Sequence, residues 1–379
     1  MVSVRPIKNS GKDMKAFIEF GYSLYKGNDC YIPDLYVDMV NSFNPKKNAG
    51  LEFSNVQLFL AYDADNKIVG RVAAIINNRA NETWNVRNVR FGWFDFVDDV
   101  EVSKALLNAV AEWGRERGMS SIQGPMGITD MDKEGMLIEG FDRLGTMNTY
   151  YNYAYYPKHM ETLGYEKEAD WVELRIELPL DIPEKFLKVS ELTMQRYKMH
   201  VKKLTRKDLK QNGYGQKIFD LINEAYAPLF GYSKMSQKQI EQYIKTYLPM
   251  VDLRMLTLVE EDETNDLICV GLSMASMARA LQKSGGKLFP FGWFHLLKAM
   301  KFKHEEGVEL LLIAARPDYQ GRGVTSLLFT DLIPIYKEMG FKWAETNVIL
   351  ETNIKNLSQW TYVNPKLVKR RRCWRKSLV

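Results

Sequence analysis

Cysteine and histidine are scarce in this chain of 379 residues, and their scarcity limits the chemistry that it can perform. The cysteines are odd in number and far apart, so neither a disulfide framework nor a Cys-x-x-Cys pair is present. No two histidines have the spacing of a His-Glu-x-x-His zinc site. The residues concerned are Cys30, Cys269, Cys373, His159, His200, His295 and His304. The sequence therefore predicts no metal site.

Long apolar runs and a strong charge bias are also missing. The run from Leu310 to Ala315 is far shorter than the ~20 residues that span a bilayer. Residues 1–6 lack the apolar core of a signal peptide. Lysine and arginine number 52 against 47 acidic residues, and this net charge of +5 is too weak to favour nucleic acid by itself. We therefore predict a cytoplasmic protein that has no membrane partner and is not expected to bind nucleic acid.

The same order of elements occurs twice along the chain. The length suggests two domains, and the apolar share of 46% is that of a globular protein. Hydrophobic periodicity predicts in each half a strand, a helix, a hairpin, a strand, a helix, a strand, a helix and a strand. This order predicts an α/β (α+β) fold with a mixed sheet in two similar domains. Their predicted bounds are 1–178 and 218–379, with a linker and the first elements of the second domain at 179–217, after Pro179.

A glycine-containing loop between a strand and a helix carries the strongest functional signal. The run Ala315-Arg-Pro-Asp-Tyr-Gln-Gly-Arg-Gly-Val-Thr-Ser places two glycines directly before a predicted helix. Glycine permits a sharp turn and a close approach to a ligand, and the free N–H groups of a helix start suit a pyrophosphate. A Walker A loop is excluded, and the dinucleotide fingerprint is incomplete because Ser326 replaces its third glycine. A purely structural turn remains the alternative.

These residues resemble the fingerprint of the GNAT acyltransferase superfamily, Gln/Arg-x-x-Gly-x-Gly/Ala after a strand that ends near a proline. Gln320, Gly321 and Gly323 match it, Pro317 is in place, and Thr325 departs from it at the last position. The resemblance implies two GNAT-like domains and a co-substrate that is acetyl-CoA or another acyl-CoA. It implies that the backbone of the strand bonds to the pantetheine while the loop holds the pyrophosphate. The binding residues predicted in this way are Ile313, Ala314, Ala315, Gln320, Gly321, Arg322, Gly323, Val324, Thr325 and Asn353.

The resemblance also implies an N-acyltransferase reaction in which a small-molecule or peptide amine attacks the thioester directly. Backbone N–H groups near Ala314 would stabilise the oxyanion, and Glu351 or Glu345 would take the amine proton. Tyr362 is the candidate for protonating the leaving thiolate, although the position of the family's tyrosine is Trp360. A non-catalytic CoA-binding protein and a tRNA-dependent aminoacyl transferase are the alternatives.

The first half resembles a degenerate copy of the second. Its strand-to-helix loop has no glycine and instead contains Asp98, Asp99 and Glu101. Carboxylates at a helix start satisfy the helix dipole and would repel a pyrophosphate. We therefore predict that the first half does not bind CoA at this loop and instead shapes the acceptor pocket.

Four other segments have an unusual composition. Residues 124–136 combine glycines and carboxylates, which suits either an irregular structural loop or contact with an acceptor amine. Residues 150–156 contain five tyrosines that either pack or line a pocket. Residues 284–294 are apolar and contain glycines, and they either cover the active site or pack between domains. Residues 369–376 are basic, and this pattern predicts either an edge strand or a contact with nucleic acid.

Overall fold

The structure of the protein is a computed structural model that describes residues 2–178 and 181–379; Pro179, part of the predicted boundary, lies outside them. The strands are β1 (Ser3–Ile7), β2 (Ser54–Tyr62), β3 (Ile68–Asn77), β4 (Asn88–Phe96), β5 (Ser121–Gly124), β6 (Met136–Glu139), β7 (Glu166–Glu177), β8 (Met199–Lys202), β9 (Leu256–Glu261), β10 (Leu267–Ala275), β11 (Gly307–Ala315), β12 (Trp343–Thr346), β13 (Ile349–Leu350) and β14 (Lys366–Ser377). The helices are α1 (Gly11–Leu24), α2 (Tyr36–Ser42), α3 (Asn78–Trp84), α4 (Val100–Arg115), α5 (Tyr155–Thr162), α6 (Glu184–Tyr197), α7 (Arg206–Gln211), α8 (Tyr214–Tyr226), α9 (Gln237–Tyr247), α10 (Ala278–Ser284), α11 (Gly292–Lys301), α12 (Thr325–Glu338) and α13 (Ile354–Trp360).

The chain forms two compact units. The first contains Met1–Trp171, Ala278–Leu297 and Lys369–Val379, and the second contains Val172–Met277 and Lys298–Val368. These bounds differ from the predicted ranges because two later segments group with the first unit. A strand's hydrophobic pattern shows that it is buried, but not which sheet it joins.

The first unit is a mixed sheet with helices packed on it. Its strands lie in the order β1-β2-β3-β4-β5-β14, and β6 also pairs with β14. The β2–β3 hairpin turns at Asp63–Lys67, as the sequence predicts, and Asp63 accepts the Lys67 amide through its side chain at 2.9 Å. Helix α4 buries Val102, Leu106 and Val110, which are spaced four residues apart along one face, in the core of this unit.

The second unit repeats this arrangement. Its strands lie in the order β7-β12-β11-β10-β9-β8, with β13 paired to β7. Strand β11 is parallel to β12 and antiparallel to β10, and α12 follows β11 as predicted. Helix α12 buries Phe329, Leu332 and Ile333 in a core shared with β7 and β12. Within the described part of the chain, no helix is long and apolar enough to cross a membrane.

Candidate functional site

The parallel pair β11–β12 opens into a split in the second unit. The two strands pair only from Gly307 to Leu310, and the last bond runs from the Asn347 amide to the Leu310 carbonyl at 2.9 Å. Strand β10 continues to pair with β11 as far as Ala315. The register between β10 and β11 shifts so that Leu311 has no partner on β10, and this bulge lies where the split begins. Beyond Leu310 the backbone of β11 no longer pairs with β12, although the Leu311 carbonyl accepts a bond from the Asn347 side-chain amide at 3.1 Å.

The loop after β11 contains backbone amides that can donate to a ligand. A turn at Pro317–Tyr319 leads to Gly321 and Gly323, which have φ values of 76° and 83°. Both lie in the left-handed region that favours glycine. Helix α12 then begins at Thr325 without a side-chain cap. Among the described residues, no acceptor faces the amides of Gly321, Gly323, Val324 and Thr325. The loop thus has the donors that an anion requires.

The side chains of the loop add one exposed cation. The Arg322 guanidinium lies 5.6 Å from the ring of Tyr197 and 5.5 Å from the ring of Tyr319. The Gln320 side-chain amide donates to the Ala315 carbonyl at 3.2 Å, so this side chain closes the strand end. Gly323 packs against α6, because a Cβ at this position would lie 2.6 Å from Val189 Cγ1. The predicted loop residues are therefore brought together, but Gln320 already has a backbone partner.

A second carbonyl of β11 at the split also has a partner, which the sequence did not reveal. The Tyr226 hydroxyl, at the end of α8, donates to the Ile313 carbonyl at 3.1 Å. Burial raises the pKa of Tyr226, which keeps the hydroxyl protonated as a donor. A carbonyl oxygen has two lone pairs, so a pantetheine amide would share this acceptor with Tyr226.

The three predicted catalytic residues lie on different elements and have different surroundings. Glu345 is buried on β12, and its carboxylate lies 3.8 Å from the Arg175 guanidinium. Tyr362 is 44% exposed, and its hydroxyl accepts a bond from Lys185 Nζ at 2.8 Å. Glu351 is half-buried directly after β13. Asn353, predicted to bind CoA, caps α13 by accepting the Asn356 amide at 3.2 Å.

An apolar cavity lies beside the split, wholly within the second unit. The cavity has a volume of about 530 Å³, which includes the solvent-filled space at its opening. Residues of β11 and β12 form one wall, and α12 and Trp360 form another. The lining residues are Ile176, Leu178, Gly271, Leu272, Ser273, Leu310, Leu312, Ile313, Leu328, Phe329, Leu332, Ile333, Tyr336, Ala344, Trp360 and Val363. The Tyr336 hydroxyl and Ser273 Oγ bond to each other at 2.7 Å, which leaves the wall without an unpaired hydroxyl donor.

The first unit has a corresponding split. Strands β4 and β5 pair in parallel only from Asn88 to Arg90, and β4 carries a bulge in which Trp93 has a φ of 46°. A bulky residue in this region is an outlier that tertiary structure must stabilise. At the start of α4, however, Asp99 accepts the Glu101 amide at 2.9 Å. A pyrophosphate there would face carboxylates, as the sequence predicts for Asp98, Asp99 and Glu101.

The split of the first unit contains a buried polar network. The Arg71 guanidinium donates to Asp95 Oδ2 at 2.8 Å and to the Phe17 carbonyl at 2.8 Å. The hydroxyls of Tyr25 and Tyr156 donate to Asp95 Oδ1 at 2.7 and 3.2 Å. Tyr150 and Tyr151 line a small cavity beside Asp95. Part of the tyrosine-rich segment therefore lines a pocket, and part of it packs.

The loop 124–136 contains Glu134, a carboxyl group whose pKa is strongly raised. Burial raises the pKa of Glu134 to about 8, and the charge of Asp130 adds to this effect while Arg90 opposes it. The Arg90 guanidinium lies 3.6 Å from Asp130. Within the described residues, no group of three His, Cys, Asp or Glu side chains is arranged to hold a metal.

Glu134 is expected to make stability fall as pH rises from about 4.5 to about 8. In this window the folded state retains a proton that the unfolded state has lost, so unfolding becomes more favourable with each increment of pH. Glu134→Gln should abolish this slope and stabilise the protein at pH 8 by about 2 kcal/mol, allowing for partial exposure. Urea unfolding at several pH values measures the effect. Glu112→Gln, on the exposed face of α4, is the control and should retain the wild-type slope.

Comparisons with known proteins agree with this architecture. No protein-family model matches the chain. The chain is 28% identical over 373 residues to protein YghO of Escherichia coli, covering 97% of this chain and 93% of that protein. It is 25% identical over 368 residues to a bacterial ceramide synthase of Caulobacter vibrioides, covering 93% of this chain and 91% of that protein.

Solved structures identify the fold. A tandem GNAT protein from the clavulanic acid biosynthesis pathway aligns with 100% of this chain and 99% of its own, at a TM-score of 0.56 and 10% identity. A GCN5-related N-acetyltransferase from Sphaerobacter thermophilus aligns with 100% of this chain and 96% of its own, at a TM-score of 0.51 and 11% identity. Both units have a bulged central strand, a parallel neighbour that diverges from it and a helix after the loop, and the chain therefore has the GNAT fold in its tandem form.

Proposed function

We propose that this chain is an acyl-CoA-dependent N-acyltransferase whose second unit binds the acyl donor. The proposal rests chiefly on the apolar cavity beside the β11–β12 split. The unpaired amides after Gln320 would hold the pyrophosphate, with Arg322 as an additional cation. The backbone of Ile313, Ala314 and Ala315 would bond to the pantetheine.

The reaction we propose is direct attack of an amine on the thioester. The amine nitrogen forms a bond to the carbonyl carbon, and the oxyanion accepts bonds from backbone N–H groups near Ala314. Collapse of this intermediate forms the amide and expels the CoA thiolate. Glu351 would take the proton that the attacking amine loses. We assign it this role before Glu345 because Glu345 is buried beside Arg175. The exposure of Tyr362 and its bond to Lys185 favour solvent as the proton donor to the thiolate.

The cavity favours an acyl chain longer than acetyl. Its wall is almost entirely aliphatic or aromatic, which suits a hydrocarbon chain. Burying each methylene contributes about 0.8 kcal/mol, whereas an acetyl group would leave most of this surface uncovered. Trp360 stands where the resemblance expects a tyrosine, and it contributes its ring to the cavity.

The acceptor that we propose is a long-chain primary amine. One relative is named a bacterial ceramide synthase, and a ceramide is the N-acylated form of a long-chain amino alcohol. Transfer of a long acyl group to such an amine would account for the apolar cavity. A short polar amine would be the acceptor expected of an acetyltransferase.

Release of free thiol from CoA thioesters tests this function. Acetyl-, octanoyl- and hexadecanoyl-CoA would each be incubated with the protein and a long-chain amino alcohol, with ethanolamine as the comparison acceptor. We expect thiol release and amide formation with hexadecanoyl-CoA and the long-chain amine. A CoA-induced rise in melting temperature without thiol release would instead indicate a non-catalytic CoA-binding protein. The absence of both would contradict the proposal.

A further inference from the structure

Residues 287–303 expose a dense set of large apolar side chains. The exposed fractions are 80% for Phe289, 73% for Phe291, 52% for Phe294, 47% for Trp293 and 39% for Leu297. Isolated apolar residues on a surface are ordinary, but contiguous apolar patches mark interaction sites. This segment also includes most of the glycine-containing, apolar insertion that the sequence singled out.

Helix α11 separates its two faces clearly. Leu296 and Ala299 are buried and fix the helix to the protein. Trp293, Phe294 and Leu297 face outward in its first two turns, and Lys298 and Lys301 are exposed in its last turn. The outward face is therefore aromatic at one end and cationic at the other.

The base of the segment is fixed within the first unit. The Tyr36 amide donates to the Gly286 carbonyl at 2.7 Å. The Gln282 side-chain amide donates to the carbonyls of Asp29 and Tyr31 at 2.9 and 2.8 Å. These bonds hold the insertion at its start, so the aromatic residues project from an anchored base.

The charge of the segment has one sign. Its lysines are at 287, 298, 301 and 303, and no aspartate or glutamate occurs between Lys283 and His304. Aromatic residues beside lysines on a surface helix are typical of helices that lie in the headgroup region of a membrane. The lysine stems reach over apolar surface while their ammonium groups contact anionic phosphates.

We propose that residues 287–303, which we name the docking segment, bind the surface of a membrane that contains anionic lipid. The aromatic side chains would insert among the acyl chains near the headgroups, and the lysines would contact lipid phosphates. None of the helices in the described ranges could span a bilayer, but binding at the membrane surface requires no spanning helix. The inference does not depend on acyl transfer, although a membrane would also contain the long-chain acceptor proposed above.

Co-sedimentation with vesicles, without any acyl-CoA, tests the proposal. Vesicles of phosphatidylcholine alone would be compared with vesicles that contain about 30% phosphatidylglycerol. We expect binding to the anionic vesicles that is at least about tenfold tighter than to the neutral ones and that weakens at high salt. Phe291→Ser/Phe294→Ser should weaken binding by at least about tenfold. Lys298→Gln/Lys301→Gln should lower it about fivefold per lysine on anionic vesicles alone.

Tyr247→Ser/Met250→Ser is the matched control, because these apolar residues are 53% and 48% exposed and lie outside the docking segment. This variant should bind vesicles like the wild type. Two results would overturn the proposal: wild-type protein that remains in the supernatant with every vesicle, or vesicle binding that survives Phe291→Ser/Phe294→Ser. Self-association of the wild type that this double substitution abolishes, without vesicle binding, would assign the segment to contact between copies of the chain. Loss of thiol release has no bearing on any of these readouts.

Discussion

Replacing Gly321 with aspartate is expected to weaken acyl-CoA binding by about 10³-fold. The substitution places a carboxylate beside the unpaired amides of the loop, where the diphosphate would bind. Two unit charges about 4 Å apart near a protein surface interact by about 4 kcal/mol, and here they repel each other. A Cβ at Gly321 meets no atom within 4 Å, so the added side chain does not disturb the packing of the loop.

Gly321→Asn is the matched control for this substitution. Asparagine has nearly the shape of aspartate and tolerates the positive φ of 76° at this position, but it has no charge. We expect it to bind acyl-CoA within about fivefold of the wild type. Calorimetric titration with CoA and with acyl-CoA gives the dissociation constants. Equal affinities for the aspartate and asparagine variants would mean that the diphosphate binds elsewhere.

Gly323 offers a less informative experiment than Gly321. Its φ of 83° is equally restrictive, but a Cβ there would meet Val189 and Thr193 of α6. Any side chain at Gly323 would therefore displace α6 as well as change the charge of the loop. A loss of binding by Gly323→Asp could not be assigned to electrostatics alone.

The sequence predicts much of the second unit because its signals are local. Glycines mark the loop after β11, and the apolar run before them is the strand that the structure shows. The helix that the sequence predicts after this loop is α12, which continues through Pro334. The largely apolar stretch 342–350 does not form one strand, because β12 ends at Thr346 and β13 begins at Ile349. A continuous apolar pattern does not show that a strand leaves its neighbour.

The site itself depends on contacts between distant parts of the sequence. The cavity takes residues from β7, β10, β11, β12 and α12, which are separated by up to about 170 residues, and no short motif describes them. The bond from Tyr226 to the Ile313 carbonyl joins residues 87 positions apart. The bulges at Trp93 and Leu311 follow from strand register, which single-chain periodicity does not specify. These features depend on tertiary contacts, which local sequence patterns do not specify.

Helix α11 shows a different limit of sequence reasoning. Its pattern of Trp, Phe, Leu and Lys resembles an amphipathic helix that buries its apolar face in the core. The structure instead buries Leu296 and Ala299 and exposes Trp293, Phe294 and Leu297. Burial cannot be assigned to one face when both faces contain apolar residues. The outward face was therefore visible only once the exposure of each residue was known.

Filling the apolar cavity should change which acyl chains the protein accepts. Leu312 lines the cavity on β11, next to the split. Leu312→Trp is expected to reduce kcat/KM for hexadecanoyl-CoA by at least about 100-fold, because exclusion of about four methylenes removes roughly 3 kcal/mol of burial. Acetyl-CoA should be affected by less than about threefold, since its acyl group does not extend into the cavity.

Leu311→Trp provides the control on the same strand, because Leu311 is half-buried at the bulge and does not line the cavity. It should retain the wild-type preference for long chains. Each variant would be compared by its ratio of kcat/KM for hexadecanoyl-CoA to that for acetyl-CoA, which cancels any change in the fraction of folded protein. If Leu312→Trp left this ratio unchanged, the acyl chain would lie outside the cavity. If kcat/KM fell for both substrates while their ratio stayed constant, the substitution would have disturbed the packing of the protein. A ratio that shifts in favour of acetyl-CoA requires that the long acyl chain and the introduced indole compete for the same space.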